Sequence, residues 1–107
     1  IVVPSMDVPP ITQAMADAIL MRELPRYMTD ALRASPSLAK HPRRLAAIIS
    51  FVFNLGAARY RASTLRKRVD AEDWAGACEE ILKWNRGGGR VLPGLVKRRQ
   101  AEAELLA

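Results

Sequence analysis

The stretch between Pro42 and Gly56 constrains the fold of this chain more than any other part. Proline suits the first position of a helix and glycine can end one, so this punctuation predicts a helix over residues 42–55. Apolar residues cover nearly its whole circumference: Leu45, Ile48, Ile49, Phe51, Val52, Phe53 and Leu55. A helix that is apolar on all sides must be surrounded by other elements. We therefore predict a helical bundle with this helix at its centre.

The segments before this helix predict one irregular stretch and one long helix. Residues 1–10 contain three prolines, which favour extended or irregular backbone. Thr12 is the expected N-cap of a helix over residues 13–33, in which Pro25 should cause a kink or break. Residues 34–41 should connect this helix to the central one.

The segments after it predict three more helices. A short basic helix is expected over residues 60–68, and Asp70 can cap another over residues 71–84. Gly87 to Gly89 predict a flexible turn, and Pro93 can open a last helix that reaches about residue 106. No stretch alternates in the manner of a strand. We therefore predict an all-α domain over residues 11–107, with no sheet.

Composition agrees with one small globular domain. The chain has 107 residues, and half of them are hydrophobic, which suffices for a single modest core. No window reaches the roughly 18 apolar residues of a membrane span, and no secretory signal is predicted. The single cysteine, Cys78, excludes an intrachain disulfide and is interpreted as a small buried residue.

Charge is strong and unevenly distributed. Residues 1–30 carry two Lys or Arg against four Asp or Glu, while residues 31–107 carry 15 against seven. The second part is therefore strongly basic, which favours anionic partners such as nucleic acid, membrane surfaces or bacterial wall polymers. Charge alone does not choose among them.

An ordered set of short motifs is more specific. The set comprises Phe51-Val-Phe-Asn-Leu-Gly56, Ser63-Thr-Leu-Arg66, Asp73-Trp74, Lys83-Trp84, Gly87-Gly-Gly89, and Leu92-Pro-Gly-Leu95 with Arg98-Arg99. In this order the motifs resemble the C-terminal helical lobe of a phage-type lysozyme (an endolysin of glycoside hydrolase family 24). The resemblance implies a muramidase acting on peptidoglycan glycan strands, and the larger, helical lobe of a lysozyme-like α+β fold.

The catalytic residues of that family are not expected in this chain. Glycoside hydrolysis usually needs a carboxylic acid and a second carboxylate across the scissile bond. The family places an Asp about nine residues after its Glu, but no Glu of this chain shows that spacing: Leu32, Ile81, Gly88 and Gly89 follow Glu23, Glu72, Glu79 and Glu80. We therefore expect the chain to be inactive alone and to require an N-terminal catalytic lobe as partner.

The resemblance also implies site residues in this chain. Phe53, Asn54, Thr64 and Glu80 match positions that line the glycan cleft. Three of them have a simpler interpretation: a core ring for Phe53, a helix cap or core hydrogen bond for Asn54, and a hydroxyl bonded to backbone for Thr64. At Glu80 the chain departs from the family, because some relatives have an amide there. Arg98 and Arg99 are surface charges by default, whereas the family has an arginine near this point that contacts the catalytic lobe.

The remaining candidates favour structural roles. Trp74 and Trp84 are expected to pack, and His41, which lacks a partner at metal-ligand spacing, is expected in a solvated loop. No metal or cofactor is predicted. The family implies a monomer made in the host bacterial cytoplasm that acts at the cell wall. The alternative is a basic helical module for nucleic acid or anionic surfaces, although the basic residues are spread over several helices, unlike those of a single recognition helix.

Overall fold

The structure, a computed structural model, describes residues 24–107, with the side chain of Leu24 excepted. The predicted irregular segment, the Thr12 cap and the start of the first predicted helix lie outside these residues. The elements are α1 (Leu24–Ala34), a 3₁₀ helix (Pro36–Lys40), α2 (Pro42–Leu55), α3 (Ala57–Ala62), α4 (Thr64–Asp70), α5 (Trp74–Leu82), β1 (Arg86–Gly87), β2 (Arg90–Val91) and α6 (Pro93–Leu106). The predicted helical bundle is confirmed.

Helix α2 is the centre of the bundle, as its apolar circumference predicts. Residues 47–52 form a continuous buried run, and α2 packs against α1, α3 and α6. The Phe51 ring is fully buried, with its centroid 6.0 Å from that of Tyr60 and 5.4 Å from that of Trp84, both in edge-to-face geometry. Phe53 is only half-buried and meets Tyr27 edge-on at 5.2 Å. Phe51 is therefore the core phenylalanine, while Phe53 lies at the margin.

Gly56 ends α2, as predicted, and does so in an unusual backbone conformation. Its φ of 96° is positive, but its ψ of 151° lies outside the left-handed helical region. Only glycine adopts such backbone readily. The Gly56 N–H still bonds to the carbonyl of Val52 at 2.8 Å, and no heavy atom lies within 4 Å of where a Cβ would stand. The requirement for glycine here is conformational rather than steric.

The predicted basic helix over residues 60–68 is in fact two helices, α3 and α4, separated at Ser63. The Ser63 hydroxyl donates to the carbonyl of Tyr60 at 2.6 Å and accepts from the amide of Arg66 at 3.1 Å. It therefore ends one helix and caps the next, which is the use of serine at an N-cap. Tyr60 lies just before this break and exchanges a buried hydrogen bond of 2.7 Å with Ser35.

Asp70 was predicted to cap the next helix, but it belongs to the last turn of α4, where it pairs with Arg66 at 3.0 Å. The backbone then turns, with Glu72 at a φ of 56° and the Asp73 amide bonded to the carbonyl of Arg68. Asp73 caps α5 by accepting from the amide of Gly76 at 3.0 Å. Helix α5 begins at Trp74 rather than at the predicted residue 71, because Ala71 and Glu72 form the turn and Asp73 is the cap.

One short hairpin departs from the predicted absence of strands. Arg86 pairs with Val91 and Gly87 with Arg90 in an antiparallel ladder. Gly88 and Gly89 connect them with φ values of 60° and 84°. A ladder of two residues per strand is too short to produce a recognisable alternation in sequence. The predicted glycine turn is present, as the tip of this hairpin.

His41 is anchored rather than solvated in a loop, contrary to the prediction. It occupies the N-cap position of α2, its Nε2 lies 3.1 Å from Oε1 of Glu72, and its ring meets Trp74 edge-on at 5.0 Å. Arg44 covers the Trp74 ring at 4.2 Å. Both tryptophans therefore pack, although Trp84 lies beyond the end of α5. Among residues 24–107, no helix is long and apolar enough to cross a membrane.

The unequal burial of the two phenylalanines yields a first testable prediction. Phe51→Ala should lower the free energy of unfolding by about 3–5 kcal/mol, the usual cost of removing a fully buried ring. Phe53→Ala should cost about 1–2 kcal/mol, because a half-buried ring loses less apolar contact. Urea denaturation monitored by circular dichroism measures the free energy of unfolding of both variants. An equal cost for the two variants would contradict the assignment of Phe51 as the core residue.

Candidate functional site

The four residues predicted to line a cleft lie on three helices. Phe53 and Asn54 are consecutive near the carboxyl end of α2, Thr64 is exposed at the first position of α4, and Glu80 lies on α5. The Glu80 carboxylate is 2.8 Å from Nζ of Lys83 and is 18% exposed. Across residues 24–107, no side-chain hydrogen bond or ion pair joins any two of the four. Of the four, Asn54 alone belongs to a larger polar network among the described residues.

That network centres on a buried ion pair in α6. Arg99 and Glu102 are both 0% exposed and lie three residues apart, the spacing at which side chains of one helix meet. Nη2 of Arg99 donates to Oε2 of Glu102 at 3.1 Å, and the Ser50 hydroxyl donates to the same oxygen at 2.6 Å. Nε lies 2.7 Å from Oε1 but outside hydrogen-bond geometry, so that contact is electrostatic.

Arg99 extends the network to two further groups. Its Nη2 donates to Oδ1 of Asn54 at 2.9 Å, and its Nη1 donates to the backbone carbonyl of Trp84 at 3.4 Å. Its guanidinium carbon lies 5.4 Å from the ring centroid of Phe51. We call Ser50, Asn54, Arg98, Arg99 and Glu102 the arginine cluster. It joins α2 to α6 and to the segment after α5.

Burial dominates the proton equilibria of the cluster. It raises the pKa of the Glu102 carboxyl, against the opposite effects of Arg99 and of the Ser50 hydrogen bond. It also lowers the pKa of Arg99, which Glu102 partly restores. The hydroxyl of Ser50 and the guanidinium of Arg99, which come from two helices, both donate to Oε2 of the Glu102 carboxyl, while Oε1 lies against Nε of Arg99 without a hydrogen bond. The cluster therefore offers fixed hydrogen-bond donors rather than an acid–base catalyst.

Arg98 and Arg99 are not the surface charges that the sequence suggests by default. Arg98 is 3% exposed, and its Nη1 has no hydrogen-bond partner among the described residues. Burial lowers the pKa of Arg98, while Glu102 acts in the opposite direction. A buried donor without a partner is costly. Arg99 is thus used within the chain, whereas Arg98 keeps an unpaired donor.

Sequence reasoning missed Ser50 and Glu102, although one signal was available. Glu102 follows Arg99 by three residues on a predicted helix, which favours an ion pair.

Cys78 is half-buried, and its thiol donates to the carbonyl of Ala103 at 3.4 Å. Over the part of the chain that the structure describes, no group of three His, Cys, Asp or Glu side chains is placed to hold a metal ion.

Comparison with known proteins identifies relatives. The family described as phage lysozyme matches residues 2–102. The chain is 37% identical over 99 residues to the endolysin of Acyrthosiphon pisum secondary endosymbiont phage 1, a match covering 89% of this chain and 67% of that protein. It is 39% identical over 59 residues to the SAR-endolysin of Bacteriophage PS119, and 44% identical over 59 residues to the endolysin of Bacillus phage B103. Those two matches cover 55% of this chain and only 35% and 22% of the relatives.

The buried ion pair yields a second prediction. Glu102→Gln should lower the free energy of unfolding by about 3–5 kcal/mol, because it leaves the buried Arg99 guanidinium without its counter-charge. Glu104→Gln is the matched control, since Glu104 is exposed on the same helix and should cost less than about 0.5 kcal/mol. Urea denaturation at neutral pH measures both. Equal and small effects would show that the pair does not support the fold.

Proposed function

Because this chain belongs to the phage lysozyme family, we propose that it forms the helical lobe of an endolysin-type muramidase. Such an enzyme hydrolyses the β-1,4 bond between N-acetylmuramic acid and N-acetylglucosamine in peptidoglycan. The family match over residues 2–102 carries the proposal. The relatives named endolysins support it, although the chain spans about two thirds of one of them and well under half of the two others.

The catalytic carboxylates are proposed to come from outside this lobe. Within the 107 residues, no Glu has an Asp at the spacing of the family, and the arginine cluster keeps its one carboxyl buried against Arg99 and Ser50. A general acid must reach the glycosidic oxygen, which a fully buried Glu102 does not. The contribution of this lobe is then to bind and orient the glycan, and the chain alone is inactive.

The proposed glycan contacts are Phe53, Asn54, Thr64 and Glu80. Asn54 is partly exposed and is held by Arg99, and the Thr64 hydroxyl is exposed at the start of α4. Phe53 presents a half-buried ring, which suits an apolar face of a sugar. Glu80 is engaged with Lys83, so its contact with a glycan requires that this ion pair opens.

Arg98 is the proposed contact with the catalytic lobe. Its buried Nη1 lacks a partner among the residues that the structure describes, and a carboxylate would satisfy both its charge and its donor. Arg99, the other predicted lobe contact, instead binds Glu102, Asn54 and the Trp84 carbonyl. Its proposed part is therefore to hold the carboxyl end of α2 against α6.

The charge of the chain suits a wall polymer. Residues 31–69 contain nine Lys or Arg and no Asp or Glu, and Arg33, Arg59, Arg61 and Lys67 among them are exposed. Such charge concentrates anionic polymers without reading their sequence. We therefore propose the bacterial cell wall as the place of action and no specific nucleic acid as partner. From the family we further propose synthesis in the host cytoplasm and a monomer as the working state.

A chimera tests the activity. Residues 1–107 replace the matched region of the endolysin from Acyrthosiphon pisum secondary endosymbiont phage 1, and the turbidity of permeabilised Gram-negative cells is followed. We expect the chimera to clear the suspension and the chain alone not to clear it, because no Glu of its sequence is followed by an Asp at the spacing of the family. Fragments ending in reducing N-acetylmuramic acid are expected. Anhydromuramic ends would refute hydrolysis, and clearing by the chain alone would refute the division of labour.

A fourth prediction concerns Arg98, whose substitution should affect the isolated chain and the chimera differently. In the isolated chain, Arg98→Met should leave the free energy of unfolding unchanged or raise it by about 1 kcal/mol, because it removes a buried cation with an unpaired donor. In the chimera, the same change should lower both stability and the rate of lysis. Lys97→Met, which alters an exposed neighbour, is the control and should change neither. Equal destabilisation of the two proteins would exclude a lobe contact.

A further inference from the structure

We propose that Arg99 is a positioning residue that fixes the side-chain amide of Asn54 with its N–H donors toward the glycan. The ligand group that Asn54 takes is then a hydrogen-bond acceptor, and the N-acetyl carbonyl oxygen is the acceptor that distinguishes this glycan from its deacetylated form. The inference rests on the proposed function, because it assumes that Asn54 contacts the glycan.

The orientation follows from the chemistry of the two side chains. A guanidinium carries donors and no acceptor, so the Asn54 atom that lies 2.9 Å from Nη2 of Arg99 must be the carbonyl oxygen Oδ1. The Nδ2 amide is therefore on the other side of the planar group. Asn54 is partly exposed, and within residues 24–107 no group accepts a hydrogen bond from Nδ2. Two donors thus remain for a ligand.

Arg99 is itself fixed, which makes the orientation permanent. Its side chain is 0% exposed and is held by Glu102 and by the carbonyl of Trp84. Glu102 is in turn held by Ser50, which lies four residues before Asn54 and therefore on the same face of α2. Rotating the Asn54 amide would place its N–H groups against a buried cation. A donor held in this way loses little conformational freedom on binding.

This arrangement predicts a chemical preference. An N-acetyl group presents a carbonyl oxygen, whereas the ammonium group of a deacetylated sugar presents only donors. A site that hydrogen-bonds one of these groups rejects the other, because its own polar atoms are then left unpaired. The strong positive charge of the chain also repels an ammonium group, so the test must separate local recognition from overall charge.

The variant Asn54→Asp tests local recognition of the N-acetyl group separately from overall charge. The aspartate has the same shape and keeps an oxygen toward Arg99, so folding stability should be maintained, but its outer atom becomes an acceptor. The probes are triacetylchitotriose and its fully deacetylated trimer, titrated into the isotopically labelled chain and followed by NMR. We expect Asn54→Asp to weaken binding of the acetylated trimer about tenfold, the loss of one good hydrogen bond. The Asn54 side-chain amide signals should shift when the wild-type chain binds it.

Two further variants complete the experiment. Asn85→Asp makes the same change in net charge at the only other asparagine and should leave binding unchanged. Arg99→Lys keeps the charge but loses the planar fork, so it should weaken binding of the acetylated trimer at temperatures where the chain is still folded. Equal binding by wild type and Asn54→Asp would overturn this inference alone. Failure of the wild-type chain to bind the acetylated trimer or peptidoglycan sacculi would overturn the proposed glycan-binding role, even if the chimera lyses cells.

Discussion

The buried pair of Arg99 and Glu102 is the constraint on which the arrangement of the helices depends. Two ionised groups without solvent are tolerated only if each is paired and hydrogen-bonded. Here Ser50 and Arg99 donate to Oε2 of the carboxylate, and Asn54 and the Trp84 carbonyl accept from the guanidinium. Nε of Arg99 and Oε1 of Glu102 meet at 2.7 Å as an ion pair without a hydrogen bond. Hydrogen bonds also depend steeply on distance and angle, so these contacts tolerate little displacement of one helix along the other. The pair therefore sets the register of α6 against α2, and so the position of every polar group at their junction.

The elements that sequence predicts well are those whose ends have a single candidate. Pro42 and Gly56 bound α2, and Pro93 opens α6, as predicted. The boundaries near Ser63 and Asp73 were missed because several residues of capping type lie close together there. Choosing among them depends on which amide each side chain reaches, and that is decided by the turn between α4 and α5. Tertiary packing selects the cap, so local propensity is insufficient.

The candidate site, like the helix boundaries, could be predicted only in part from the sequence. Resemblance selected Asn54 and the Arg98-Arg99 pair as candidates, but it could not identify which arginine has an internal partner. Default exposure of arginine was the wrong expectation, because α6 turns both side chains inward and the charge of Glu102 permits it. The spacing from Arg99 to Glu102 was visible in the sequence. Its meaning depends on Ser50 and Asn54, which lie about 50 residues earlier and meet it only in the folded chain.

The end of α2 has a consequence for how mutations at this junction are interpreted. Gly56 has room for a Cβ, yet its backbone conformation admits only an achiral residue without strain. Substitution by alanine would therefore cause no local collision. It would instead redirect the path of the chain into α3, and the first contact to suffer would be the buried hydrogen bond between Tyr60 and Ser35. A substitution at residue 56 would thus weaken the attachment of α1, at a distance from the altered position.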